Sequence, residues 1–107
     1  MRWEIHGENV SLTPTLSAYI ERKIRDKIAQ LGTGIREVSI KIARLGSRRS
    51  DRMRQAKAVV VMNDGQVHTL HQGDSCFYAA IDGLSDRLSY AVRKSREKFR
   101  QLRRKNR

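Results

Sequence analysis

Few residues of this chain are of the types that catalyse reactions or bind metals, and their spacing favours neither role. Asp82 and Asp86 stand four residues apart, a spacing that on a helix places two carboxylates side by side as a possible Mg²⁺ pair. His68 and His71 are three residues apart, which in a strand directs them to opposite faces. Cys76 does not complete a standard zinc spacing with them, and we expect it to be a small buried residue. We therefore expect no metal, no cofactor and no catalytic residue, and we expect the two aspartates to balance nearby cations.

Positive charge is the dominant chemical feature of the chain. Its 107 residues include 23 lysines and arginines against 11 acids, a formal net charge of +12. Residues 84–107 hold ten basic residues and two acids, and the segment 47–55 holds four arginines and one acid. A surface that only keeps a protein soluble mixes both signs. The concentration of charge therefore predicts a polyanionic partner, nucleic acid first and an anionic membrane surface second.

Four strands are predicted from apolar residues that alternate or cluster, at about residues 2–6, 37–42, 55–62 and 66–71. The residues Asn63-Asp64-Gly65 between the last two are typical of a tight hairpin turn. The arginine-rich segment 46–54 has no apolar period and is predicted to be an exposed loop, to which we assign no role.

Two helices are predicted from apolar stripes with helical spacing. The first begins at Thr13, a capping residue, followed by Pro14 at the first helical position. The second is capped by Asp74 or Ser75 and continues to Leu102 over about 42 Å, so it should extend beyond a sheet whose strands span about 23 Å. The first stripe consists of Leu16, Ile20, Ile24, Ile28 and Leu31. The second consists of Phe77, Ile81, Leu84, Leu88, Val92, Phe99 and Leu102.

The order β-α-β-β-β-α predicts an α+β fold, a four-stranded sheet with two helices packed on one face. A single domain is expected over residues 1–102, followed by a basic, disordered tail at 103–107. The N-terminus has no apolar run typical of a signal peptide, and the longest aliphatic run, 58–62, is too short to cross a bilayer. We therefore expect a cytoplasmic protein that does not bind membranes.

Two stretches of the chain point to a known family. Residues 9–20 read NVSLTPTLSAYI and residues 77–88 read FYAAIDGLSDRL. Both resemble the ribosome hibernation-promoting factors, also called ribosome-associated inhibitors or sigma-54 modulation proteins, and the resemblance covers about residues 1–101. The family fold has the same β-α-β-β-β-α order and is similar to a double-stranded RNA-binding domain with an extra leading strand. Because this chain ends after the second helix, it resembles a short member without the domain by which long members pair two ribosomes.

The resemblance implies a translational silencer that has no enzymatic activity. Members of the family bind the small ribosomal subunit in the cleft for mRNA and the anticodon ends of tRNAs, and hold ribosomes idle under stress or in stationary phase. The expected partners are thus the 16S rRNA of the small subunit and the 70S ribosome, and the mechanism is steric occlusion. The free chain is expected to be a monomer with no small-molecule substrate.

The resemblance implies that the rRNA-binding residues lie on the basic faces of both helices. At about 100° per residue, Arg93 and Arg100 fall opposite the apolar stripe of the second helix, with Tyr90 among the cations. Tyr90 stands where the family often has a basic residue, so stacking on a base and packing beside lysine side chains both remain open. The full predicted set is Arg22, Lys23, Arg25, Arg87, Tyr90, Arg93, Lys94, Arg96, Lys98 and Arg100.

Two alternatives are compatible with the same sequence. A general double-stranded RNA-binding module has this fold and charge, and a free RNA duplex would then displace the chain from ribosomes. A small metal-dependent nuclease using Asp82 and Asp86 is the enzymatic alternative, and it requires Mg²⁺-dependent RNA cleavage that is lost in Asp82→Ala.

Overall fold

The structure describes four strands and two helical regions. A computed structural model describes residues 1–31, 34–44 and 54–105, with side chains described up to residue 95 and at residue 97. The arginine-rich segment 46–54 lies outside the described residues except for Arg54. The elements are β1 (Arg2–Glu8), α1 (Pro14–Ile20), a π-helical turn (Glu21–Arg25), α2 (Asp26–Leu31), β2 (Ile35–Arg44), β3 (Arg54–Met62), β4 (Val67–Asp74) and α3 (Phe77–Lys105). The predicted order is confirmed, and we call residues 14–31 together the N-terminal helix.

The four strands form one mixed sheet in the order β1-β2-β3-β4. β1 and β2 are parallel because the N-terminal helix is the crossover between them, and the other two pairs are antiparallel. The predicted hairpin turn joins β3 to β4. There the Gly65 N–H donates to the Met62 carbonyl at 3.0 Å, and Gly65 has a φ of 90°, a conformation that favours glycine. β4 continues to Asp74, beyond the predicted end near residue 71.

Both helical regions cover one face of the sheet, where alternate residues of β2 and β3 are buried. On β4, His68 is half-buried and His71 is exposed, so the two histidines lie on opposite faces as their spacing predicts. Removing this apolar surface from water is the main stabilising contribution to the fold. The core consists of Leu16, Ile20, Ile24, Ile28, Ile35, Val38, Ile40, Ile42, Ala56, Ala58, Val60, Met62, Ala80, Ile81, Leu84, Leu88 and Val92.

The N-terminal helix begins as its sequence predicts but is not a regular α-helix throughout. The Leu16 N–H donates to the Thr13 hydroxyl oxygen at 3.2 Å, and Pro14 occupies the first turn. From Glu21 the backbone shifts to i+5 hydrogen bonding, in which the Asp26 N–H donates to the Glu21 carbonyl. The helix therefore contains a π-helical turn that was not predicted from the sequence.

The start of α3 differs from the prediction. The helix begins at Phe77, and the Ala80 N–H donates to the Cys76 carbonyl at 3.0 Å. The Asp74 carboxylate instead accepts a hydrogen bond from the Ser75 N–H at 2.7 Å. The prediction of Asp74 or Ser75 as the helix cap is wrong because β4 continues to Asp74 and moves the helix start along the chain. The prediction of a buried Cys76 is also wrong, since this residue is exposed in the turn.

α3 is the longest element of the molecule. Its 29 residues span about 44 Å at 1.5 Å per residue, and the longest principal axis of the chain is 55 Å. The helix therefore extends beyond the sheet, as predicted, and it continues three residues past the predicted domain end at residue 102. Among the described residues, no helix is both long and apolar enough to cross a membrane.

Candidate nucleic-acid interface

A groove separates the N-terminal helix from α3 and brings side chains of both signs together. Its volume is about 410 Å³. Three cationic side chains face three carboxylates there, so the formal charges within the groove balance. We call this the interhelical groove, and its lining residues are Arg22, Lys23, Asp26, Lys27, Gln30, Asp82, Ser85 and Asp86.

Asp82 is the central acid of the interhelical groove. The Tyr19 hydroxyl donates to Asp82 Oδ1 at 2.5 Å, and Lys23 Nζ lies 4.0 Å from the same oxygen. The hydrogen bond to this carboxylate raises the pKa of Tyr19, with smaller contributions from desolvation and from the negative charge of Asp82. The expectation that Asp82 balances cations is thus supported by its contacts. Across the described parts of the chain, no three His, Cys, Asp or Glu side chains are grouped as metal ligands would be.

Tyr19 also organises the two cations nearest to it. The Arg22 guanidinium carbon lies 5.5 Å and Lys23 Nζ 5.8 Å from the centre of the Tyr19 ring. Such distances allow cation–π attraction, which restricts both side chains to this side of the helix. The ring itself packs edge-on against Tyr78, with centroids 4.9 Å apart. Neither Tyr19 nor Tyr78 was predicted as a site residue, because their pairing depends on how the two helices pack.

The π-helical turn is held against α3 by a buried serine. The Ser85 hydroxyl donates to the backbone carbonyl of Lys23 at 2.9 Å, and Ser85 is only 5% exposed. This bond satisfies a carbonyl within the turn and fixes the segment that carries Arg22 and Lys23. Ser85 was not predicted as a site residue. The available signal was a small hydroxyl residue beside the apolar stripe of α3.

Arg25 lies apart from the other two predicted cations of the N-terminal helix. Its guanidinium is 3.6 Å from the Glu21 carboxylate and 5.9 Å from the centre of the Trp3 ring. The structure therefore brings Arg22 and Lys23 together at the interhelical groove and places Arg25 on the side facing β1.

The outer side of α3 carries the remaining predicted residues whose side chains are described. Tyr90, Arg93 and Lys94 are exposed, and Lys94 Nζ lies 6.0 Å from the centre of the Tyr90 ring. Arg87 is also exposed, and its guanidinium donates to the His71 carbonyl at 2.8 Å. We call Arg87, Tyr90, Arg93 and Lys94 the α3 ridge. Arg96, Lys98 and Arg100 follow on the same helix, and their side chains lie outside the described set.

Known relatives align with almost all of this chain. The sequence profile of the family described as sigma 54 modulation protein / S30EA ribosomal protein matches residues 3–100. The ribosome hibernation promoting factor of Klebsiella oxytoca is 31% identical over 102 residues, covering 94% of this chain and 99% of the relative. That of Escherichia coli K12 is 31% identical over 103 residues with the same coverage. The ribosome hibernation promotion factor of a Picosynechococcus strain is 28% identical over 98 residues, covering 92% of this chain and 50% of the relative.

Two solved structures share the fold. The N-terminal domain of Thermus thermophilus Protein Y superposes with a TM-score of 0.70 at 22% identity, covering 88% of this chain and 98% of that domain. A ribosomal subunit interface protein from Coxiella burnetii superposes with a TM-score of 0.70 at 19% identity, covering 91% and 99%. Because the family profile matches the chain from the first strand well into the last helix, this chain belongs to the sigma 54 modulation protein / S30EA ribosomal protein family.

Proposed function

We propose that this chain is a ribosome hibernation factor that associates with the ribosome. Relatives named ribosome hibernation promoting factors align over 99% of their own length, which supports this assignment. In the finer form of the proposal, the chain binds 16S rRNA in the cleft of the small subunit that mRNA and tRNA use. It blocks translation by occupying that space under stress or in stationary phase, as a monomer and without chemistry.

The α3 ridge is the observation that carries this proposal. Arg93 and Lys94 are exposed, and within the described residues neither forms an ion pair with a carboxylate. Unpaired cations of this kind neutralise phosphates and release the counterions bound to RNA, which favours association. The cations of the interhelical groove face carboxylates instead. We therefore assign the leading phosphate contacts to α3 and a secondary role to Arg22 and Lys23.

The elongated shape of the chain also supports occlusion. Its principal extents are 55 × 27 × 18 Å, with α3 extending past the sheet. A rod-like basic helix on a small rigid domain can occupy a cleft lined by RNA and exclude another strand from it. Such a mechanism requires only a stable shape and exposed cations that can contact phosphates, and the α3 ridge supplies such cations.

Sedimentation with ribosomes tests the proposal. The unchanged chain is expected to sediment with 30S and 70S particles at low salt and to compete with mRNA and tRNA. The double variant Arg93→Glu and Lys94→Glu is expected to remain at the top of the gradient, because it repels phosphate while leaving the core intact. Arg2→Glu, on the opposite face of the sheet, is a single charge-reversal control and should sediment normally.

Three results would contradict the proposal. The unchanged chain does not sediment with ribosomes, or the double variant sediments as the unchanged chain does, or a free RNA duplex in modest excess displaces the chain from ribosomes. The last result would support a general duplex-binding module.

A further inference from the structure

Tyr90 is exposed in a way that the fold does not explain. Its exposed fraction is 65%, the highest among the large hydrophobic side chains that the structure describes. Tyr19, by contrast, bonds to Asp82 and packs on Tyr78. A single exposed aromatic is not unusual in itself. The composition of its surroundings is the informative observation.

The neighbours of Tyr90 on the helix are mainly cations. Arg87, Arg93 and Lys94 stand three residues before, three after and four after it, spacings that place side chains next to one another. Asp86, four residues before it, is the one neighbouring acid at these spacings, and it lines the interhelical groove. The Lys94 ammonium lies 6.0 Å from the centre of the Tyr90 ring. An exposed π face thus stands beside two exposed cations, Arg93 and Lys94.

We propose that Tyr90, Arg93 and Lys94 form a binding site for an unpaired nucleotide of RNA. The base stacks on the Tyr90 ring, and the two cations neutralise the phosphates that flank it. The inference rests on the proposed function, in which the α3 ridge binds RNA, and it names the class of nucleotide that this part of the ridge recognises. Arg87 is not included, because its guanidinium already bonds to the His71 carbonyl.

Stacking on an aromatic side chain distinguishes unpaired from paired RNA. Every base offers a π face to an aromatic side chain once it leaves its own stack, so recognition of this kind tolerates any sequence. In an A-form duplex each base is covered by its neighbours, and only phosphates and sugar hydroxyls are accessible to a helix such as α3. Tyr90 therefore contributes to binding of loops, bulges and single strands and contributes little to binding of a regular duplex.

Two fluorescent RNAs test this inference with the full chain. One is an unstructured oligouridine of about ten nucleotides, and the other is a duplex of about 16 base pairs. Anisotropy titrations give the dissociation constant for the unchanged chain, for Tyr90→Leu and for Tyr90→Phe. Tyr90→Leu keeps an apolar side chain but removes the π face, whereas Tyr90→Phe keeps the ring. Thermal unfolding checks that both variants fold, as expected for an exposed position.

The expected result is a selective loss. Tyr90→Leu weakens binding of the oligouridine by about 5- to 150-fold, the range typical of one base–aromatic stack, and changes duplex binding by less than about twofold. Tyr90→Phe binds both RNAs as the unchanged chain does. The inference is overturned if the unchanged chain does not bind the oligouridine, if Tyr90→Leu binds it with unchanged affinity, if Tyr90→Phe loses as much as Tyr90→Leu, or if Tyr90→Leu weakens both RNAs equally.

Sedimentation distinguishes this inference from the proposed function. Failure of the unchanged chain to sediment with ribosomes contradicts the proposed function. Normal sedimentation of the unchanged chain together with unaltered oligouridine binding by Tyr90→Leu contradicts only the nucleotide site at Tyr90.

Discussion

The Tyr19 hydroxyl donates a hydrogen bond of 2.5 Å to Oδ1 of Asp82 and so joins the N-terminal helix to α3. Lys23 Nζ lies 4.0 Å from the same oxygen. One carboxylate of α3 thus holds a tyrosine and a lysine of the opposite helix. These three residues link the two helices at the interhelical groove.

This contact predicts a stability change at alkaline pH. The Asp82 hydrogen bond raises the pKa of Tyr19 above its unfolded value of about 10. Below that pH both states are protonated and the contact contributes fully. As pH rises through about 10 and above, the unfolded state loses its proton first, so the contribution of Tyr19 is lost as pH passes through the folded pKa. Tyr19→Phe should therefore destabilise the chain at about pH 8 and make less difference at about pH 11.

Urea unfolding of the unchanged chain and of Tyr19→Phe measures this at both values of pH. At each pH, the free energy of unfolding of Tyr19→Phe is subtracted from that of the unchanged chain, which removes the effect of every other group that titrates in the same range. An equal difference at both values of pH would show that the hydrogen bond does not contribute to stability.

Two buried serines of α3 provide a matched pair for the π-helical turn. Ser85 is 5% exposed and Ser89 is 7% exposed. Of these two, the Ser85 hydroxyl donates to the Lys23 carbonyl, whereas the Ser89 hydroxyl has no hydrogen-bond partner within the described structure. Ser85→Ala should lower the free energy of unfolding by about 1 kcal/mol, because that carbonyl loses its donor. Ser89→Ala should be neutral or stabilising, since it removes an unsatisfied buried hydroxyl, and the helix preference of alanine applies to both variants.

Urea unfolding of both variants gives this difference directly. Ribosome sedimentation of Ser85→Ala then shows whether a loosened turn also weakens the contribution of Lys23. Equal destabilisation by the two substitutions would mean that the Ser85 hydrogen bond has no particular role in the turn.

Much of the fold was predictable because burial imposes a period on the sequence. Residues such as Val38, Ile40 and Ile42 alternate in the sequence and lie on the buried face of the sheet. The last residues of β4 lack this signal, because Gly73 and Asp74 are in the strand through pairing with β3 rather than through apolar side chains. Periodicity therefore predicts which face is buried better than it predicts where an element ends.

The sequence named residues of the candidate site, but it did not predict how they are arranged. The apolar residues Leu16, Ile20, Ile24 and Ile28 recur every four residues, longer than the 3.6-residue period of an α-helix. A π-helical turn has more residues per turn and keeps such a stripe on one face, so the signal for it was present. The Tyr19–Asp82 contact had no comparable signal, since it joins residues 63 positions apart whose proximity depends on helix packing.

On the open face of the sheet, a surface ion pair predicts a measurable titration. Lys41 Nζ lies 2.8 Å from Glu8 Oε2 and joins β2 to β1. The hydrogen bond and charge of Lys41 lower the pKa of Glu8, with a smaller effect from Lys57. Glu8 thus contributes stability above its unfolded pKa of about 4.3, and loses that contribution as pH falls through the lower folded value. Both side chains are exposed, so the effect on stability is small.

Carbon-13 NMR titration of the Glu8 carboxyl provides the measurement. Lys41→Met should raise its pKa back towards the ordinary value, and Lys57→Met should raise it less. Equal shifts in the two variants would indicate that the pKa of Glu8 responds to the overall charge of the sheet surface and not to its specific contact with Lys41.

The salt dependence of ribosome binding tests which of the predicted cations contact RNA and which have a structural role. If the chain makes about six to ten phosphate contacts, its affinity for 30S subunits should fall by about 10³- to 10⁵-fold between about 50 and 200 mM salt. Arg93→Ala and Lys94→Ala should each reduce the slope of log K against log salt by about one, because each removes an exposed cation that is free to bind a phosphate.

Arg25→Ala is the control within the same predicted set. Its guanidinium is paired with Glu21 and lies over Trp3, away from the interhelical groove, so the slope should stay the same. A flat salt response of the unchanged chain would exclude phosphate binding as the source of affinity. An equal decrease in slope for Arg25→Ala would place the RNA contact on the β1 side of the N-terminal helix, because the Arg25 guanidinium lies there, 5.9 Å from the centre of the Trp3 ring.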